Sequence, residues 1–225
     1  MNYNSAIRPT DGHPIDALIA AYAAKTLGAP LTALVAAHLE LKPENRAYAA
    51  ALEAVHGVFL EELRPVPLAG RDRRLVNIFA TPEPPPAARS RRAHEGASSA
   101  LPRALRRLAG CDLAELAWTK RCSGLKEAPL RDADDTASFL AARPGRSLPV
   151  TGEDGPAAVL VLAGCASDRN GDHVRGDIIF VDHAANRDDA PVAKGEGDCV
   201  CFVVAESSIK GPGPLRRTLQ RVIGG

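Results

Sequence analysis

Residues Ala157 to Cys165 read AAVLVLAGC, and residues Cys199 to Ala205 read CVCFVVA. Both are short, rich in β-branched or small apolar residues, and bounded by glycine or charged turn residues. That is the signature of a strand in a packed sheet. Working outward, Leu116 to Cys122, Ala137 to Ala142 and Asp177 to Asp182 are further short apolar or alternating runs. Pro144-Gly145, Asn170-Gly171 and Gly195-Glu196-Gly197 punctuate them as turns. Several short strands at this spacing predict an all-β sandwich or barrel. Asp168 to Asp172 (DRNGD) has the start of a calcium loop, but Ile179 stands where the closing glutamate belongs, so it reads as a hairpin turn. Trp118 reads as core, and Leu215 to Ile223 as a closing amphipathic helix.

Toward the N-terminus the period changes from two to 3.6. Asp11 or Asp16 suits a cap and Pro14 a first turn, with Leu18, Ile19, Tyr22 and Ala23 at helical spacing until Gly28 and Pro30. A second helix fits Leu31 to Leu41, and a third fits Glu44 to Leu63 behind Pro43. The third carries a stripe of Tyr48, Ala51, Leu52, Val55, Val58 and Phe59. Arg71 to Phe79 predicts a short amphipathic helix, and Leu101 to Leu108 a brief one. Between them, Thr81 to Ala88 (TPEPPPAA) cannot be a helix interior, because proline lacks the N–H and clashes with the preceding turn. The expected architecture is α+β: a small helical bundle over residues 1–80, a Pro/Arg-rich linker over 81–100, and an all-β domain over 101–225.

The 225 residues are 45% hydrophobic and 24% charged, with a formal net charge of +1, which argues against a basic nucleic-acid binder. From Arg64 to Arg107, ten arginines face only Asp72, Glu83 and Glu95, and this reads as a solvated linker. No apolar run reaches the ~20 residues needed to cross a bilayer. Met1 to Ile7 lacks a secretory pattern. Five cysteines without a CxxC pair fit a reducing cytoplasm. There is no GxGxxG after a strand, no P-loop, no GxSxG elbow and no HExxH.

Two stretches carry a resemblance. Ala17 to Asn45 (ALIAAYAAKTLGAPLTALVAAHLELKPEN) and Gly171 to Val204 (GDHVRGDIIFVDHAANRDDAPVAKGEGDCVCFVV) resemble, in that order and spacing, the ChrR-type anti-sigma factors. The resemblance implies a zinc-binding helical domain that holds an extracytoplasmic-function sigma factor, followed by a cupin-type barrel. It also exposes departures. The family's His and His-x3-Cys-x2-Cys ligands fall on His13, His38, Lys42 and Asn45, so no thiolate remains and zinc is not expected. His38 is expected to pack at the helix interface and donate to a carbonyl. In the cupin motif, Thr151 and Glu153 take the two histidine places, Ala157 or Ala158 the glutamate place, and Asp189 the place of the later histidine. Glu153 and Asp189 suit at best a weak hard-cation site, and His173 and His183 read as surface residues. The resemblance also matches Cys199 and Cys201 to the family's Cys-x-Cys strand. At i, i+2 they share a face with side chains roughly 7 Å apart and parallel, so they read as small buried hydrophobes. The alternative is redox sensing with Cys165 or Cys122.

The expected function is therefore sequestration of an extracytoplasmic-function sigma factor by helix-in-groove packing, with Leu18, Tyr22, Leu75, Val76, Ile78 and Phe79 as anchors. The linker would let the β domain dock or swing away. No catalytic residue, no cofactor, no direct nucleic-acid contact and no membrane contact is expected, and a homodimer is left open. The alternative is a cupin-fold small-molecule binder, or a metal-dependent cupin enzyme, whose helices serve oligomerisation.

Overall fold

The structure, a computed structural model, describes residues 14–81, 101–130, 136–149, 156–181 and 190–205. Among the described residues, five α-helices precede the strands: α1 (Pro14–Ala23), α2 (Ala29–Leu41), α3 (Arg46–Glu61), α4 (Arg71–Ala80) and α5 (Arg103–Ala109). Pro14 and Pro30 sit in first turns, where a missing N–H costs nothing. Lys25 ends α1 in a left-handed conformation (φ 58), and Gly110 does the same after α5. A 3-10 turn, Pro43–Asn45, links α2 to α3.

The strands are β1 (Thr119–Cys122), β2 (Leu125–Pro129), β3 (Thr136–Ala142), β4 (Ala157–Ala163), β5 (Cys165–Asp168), β6 (Gly171–Val174), β7 (Ile178–Val181), β8 (Val192–Lys194) and β9 (Cys199–Ala205). They form a six-stranded sheet ordered β1-β2-β3-β9-β4-β7 and a three-stranded sheet ordered β6-β5-β8. Every pairing between these strands is antiparallel. The expected hairpin at Asn170-Gly171 joins β5 to β6. The strands β2 and β8 were not foreseen. The expected helix at 215–223 and most of the expected linker lie outside the described residues.

The layers explain the sequence pattern. Between the two sheets lies one apolar cluster, including Leu140, Leu148, Val159, Val161, Ala166, Ala193, Cys199 and Cys201. On the other face of the large sheet, Phe139, Leu160, Leu162, Phe202 and Val204 pack with Leu18, Ile19, Leu34, Val35 and Leu105 from the helices. The strands β4 and β9 are covered on both faces, which is why they read as continuous apolar runs rather than alternating ones. Phe139 and Phe202 are cross-strand partners, with ring centroids 4.9 Å apart. Gly164 makes the corner between β4 and β5: at φ +73, an added Cβ would stand 2.8 Å from the Asp198 carbonyl oxygen. The described strands thus make a two-sheet sandwich. The helices α1, α2 and α5 are docked on it through a shared core.

Candidate functional site

The helix α3 is longer than the helix it packs against. It has 16 residues against 10 in α1, or about 24 Å against about 15 Å at 1.5 Å per residue. In its first half only Ala49 is buried and Leu52 half-buried, and Tyr48 of the stripe is already exposed. Beyond Leu52 every residue is exposed, including Val55, Val58 and Phe59. These belong to the stripe that reads in the sequence as bundle core. The stripe outruns its cover, and the lengths of the predicted helices were the signal for that.

The apolar exposure continues through Leu63, Val66 and Leu68 into α4, which buries no residue. Leu75, Ile78 and Phe79 lie one turn apart on one face of α4, with Val76 beside them. Phe79 is 84% exposed. Four of the six expected anchors therefore face outward. The other two do not: Leu18 is 0% exposed inside the shared core. Tyr22 is half-buried beneath the Lys25 ammonium, which lies 4.8 Å from its ring centre. Packing of α1 against α2 and α3 places Leu18 in the core that the helices share with the sheet. The apolar residues that stay outward on the neighbouring helix α3 are Val55, Val58 and Phe59.

The second feature is the junction from α2 to α3. His38 is 2% exposed. Its Nδ1 donates to the Gly176 carbonyl oxygen at 2.7 Å, and its Nε2 accepts from the Asn45 amide nitrogen at 2.8 Å. With that amide facing Nε2, the ring proton belongs on Nδ1. Burial, ahead of the Gly176 hydrogen bond and the nearby charges, holds the His38 pKa below its ordinary value. Lys42 lies 3.0 Å from the Asp177 carboxylate. Zinc at this junction would need an imidazole lone pair and thiolates or carboxylates around it. Both ring nitrogens of His38 are engaged, Lys42 is an ion-paired cation, and Asn45 is a donor. These residues do not fit a zinc site. The further candidate His13 lies outside the described residues.

The cysteine strand departs from expectation in one respect. Cys199 and Cys201 are both buried, but their Sγ atoms are only 3.6 Å apart, because the two side chains lean together. Contact with Cys201 lowers the Cys199 pKa against the opposing effect of burial. Contact with Cys199, and then burial, raises that of Cys201 well above its ordinary value. Cys165, the third redox candidate, is half-buried at the start of β5 with its thiol toward its neighbour Ala166's carbonyl (3.7 Å). Cys122 is exposed.

Glu153 and Asp189, the weak cation candidates, lie outside the described residues, as does His183. His173 is half-buried on β6, where its Nε2 meets the Asp168 carboxylate at 2.9 Å. Burial pushes the Asp168 pKa up, but the hydrogen bonds from His173 and Asn170 outweigh it and leave the carboxyl below its usual range. Among the described residues, no group of three or more His, Cys, Asp or Glu is placed to hold a metal ion. Among the described residues, no helix is long and apolar enough to cross a membrane.

The anti-sigma-E factor ChrR of Cereibacter sphaeroides is 32% identical to this chain over 204 residues, covering 88% of this chain and 91% of ChrR. The crystal structure of Rhodobacter sphaeroides SigE in complex with the anti-sigma ChrR matches 85% of this chain and 96% of the matched chain, with 31% identity and a TM-score of 0.69. KdgF from Halomonas sp. overlaps 43% of this chain and 92% of its own, at 15% identity and a TM-score of 0.35. No family profile matches the chain.

Proposed function

The chain belongs to the ChrR family of anti-sigma factors, and on that basis we propose that it binds and sequesters an extracytoplasmic-function sigma factor through the face formed by α3, α4 and the segment between them. The carrying observation is the apolar surface from Val55 to Phe79 that no part of the described chain covers. Large apolar side chains left exposed along successive elements mark a protein contact. Each fully buried anchor of the size of Val, Ile or Phe is worth about 1.5–3 kcal/mol relative to exposure, so several must be buried together to outweigh the entropy cost of association. The matching partner surface is an apolar groove, and capture would mask the region the sigma factor needs for core polymerase.

The β-sandwich serves in this reading as a cupin-type scaffold and sensor domain, and the protein acts as a binder in the cytoplasm, not as an enzyme. The apolar lining between its sheets supports that reading. The experiment is affinity capture from the native host with mass-spectrometric identification, followed by reconstitution and transcription in vitro. Recovery of a sigma factor whose transcription the purified chain inhibits is the expected result. A recovered sigma factor that the chain leaves active overturns the proposal, and so does recovery of none.

A further inference from the structure

The junction at His38 joins more than two helices. Gly176 and Asp177 belong to the turn between β6 and β7, and that turn is anchored to the central strand β4. The Gly176 amide donates to the Val161 carbonyl at 2.8 Å, and the Val161 amide donates to the Asp177 carbonyl at 3.0 Å. The helix and the turn approach so closely that a Cβ on Gly176, at φ +93, would stand 3.0 Å from Leu41 Cβ and Lys42 Cγ. From the helical side, Asn45 ends the 3-10 turn from which α3 departs. Arg46, the first residue of α3, reaches back to the Leu39 and Glu40 carbonyl oxygens at 2.6 and 2.9 Å.

We propose that His38, Lys42 and Asn45, with Gly176 and Asp177, form a metal-free clip that replaces zinc as the device fixing α3 relative to α2, and that fastens both helices to the β-sandwich. The disagreement with the zinc chemistry implied by the family resemblance is what points here. Positions that would otherwise supply thiolates supply a cation and an amide donor instead, and each has a partner. Lys42 is neutralised by Asp177 across the helix–sheet boundary. The Asn45 amide occupies the His38 nitrogen opposite the one bonded to Gly176, so the imidazole bridges α3 and the sandwich. The β-sandwich is thereby coupled to the direction in which α3 carries its apolar face. That last consequence rests on the proposed sigma-factor contact; the clip itself does not.

The test uses the full chain. Purified without chelator, it should contain substoichiometric zinc and unfold at the same temperature with and without EDTA. A Lys42→Ala/Asn45→Ala variant should raise amide hydrogen exchange about tenfold, in concert, over residues 38–46 and 174–178. The Val174 amide donates to the Asp177 carboxylate at 2.8 Å; Asp177→Asn keeps an oxygen to accept that bond, so it is the milder variant and should raise exchange over both segments about threefold. Stoichiometric zinc whose removal abolishes protection at 38–46 overturns the proposal. So does unchanged exchange in Asp177→Asn at both segments. No sigma factor enters these readouts, so failure of partner capture and failure of the clip are separable.

Discussion

The Lys42 ammonium at the C-terminal end of α2 lies 3.0 Å from the carboxylate of Asp177, the last residue of the turn before β7. The two residues are far apart in the chain, on opposite sides of the helix–sheet boundary. Their partners His38 and Gly176 lie beside them. Among the described residues, two polar attachments of the helices to the sandwich thus meet at the junction that also launches the apolar face of α3.

Stability should fall on mild acidification. The folded-state His38 pKa is depressed, chiefly by burial, while the unfolded value is about 6.5. The unfolded chain therefore binds more protons between the two values, and stability falls with falling pH there. The contribution is complete above about pH 6.5 and declines as pH drops toward the folded pKa. Asp177, Glu44 and Lys42 supply the charges around the ring. Denaturant midpoints measured from pH 8 to pH 5 should fall, and the fall should be shallower in His38→Gln. An equal slope in that variant would exclude His38 as the source.

Apolar residues on α4 and in the core should separate cleanly. Phe79→Asp and Ile78→Asp should leave thermal stability within about 0.5 kcal/mol, because nothing in the described chain rests on them. Each should weaken sigma-factor binding by about 2 kcal/mol or more, near thirtyfold. Leu18→Ala should do the reverse in origin, costing about 2–5 kcal/mol of folding stability by opening a cavity. Calorimetric unfolding alongside partner titration checks both.

Gly164→Ala tests the sandwich corner. Its positive φ and the 2.8 Å approach to the Asp198 carbonyl oxygen leave no room for a methyl group. The loss should be about 1–3 kcal/mol, seen as a lower denaturant midpoint. Gly57→Ala, on exposed α3 with open space around it, should instead gain a few tenths up to about 1 kcal/mol.

Thiol reactivity should follow burial. Maleimide labelling of the native chain should reach exposed Cys122 first, then Cys111 and Cys165, and should reach Cys199 and Cys201 only on unfolding. Rapid native labelling of the Cys199–Cys201 pair would show that the sandwich opens far below the cost of global unfolding.

Several elements were legible because their cause is local. The apolar runs of β4 and β9 and the asparagine–glycine hairpin stand out along the chain, and so do the proline-started helices. The strands β2 (LKEAP) and β8 (VAK) did not, because their few apolar residues form no pattern until a neighbouring strand supplies hydrogen bonds. The Cys199–Cys201 contact was also illegible: backbone spacing sets where Cβ atoms lie, and rotamers decide that the sulfurs meet. Likewise, the sequence showed His38 without thiolate neighbours, but only the fold brought Gly176 to its ring.

What the sequence by itself determined was the α+β order, the apolar stripes, the turns and the loss of thiolates at the helix junction. These follow from residue type and short-range period. Tertiary structure decided which stripe is covered. The core shared by the helices and the sandwich took in Leu18 and left Val55, Phe59 and Phe79 in the open. A stripe's period records that a face is apolar, but what lies against it is set by segments distant in the chain.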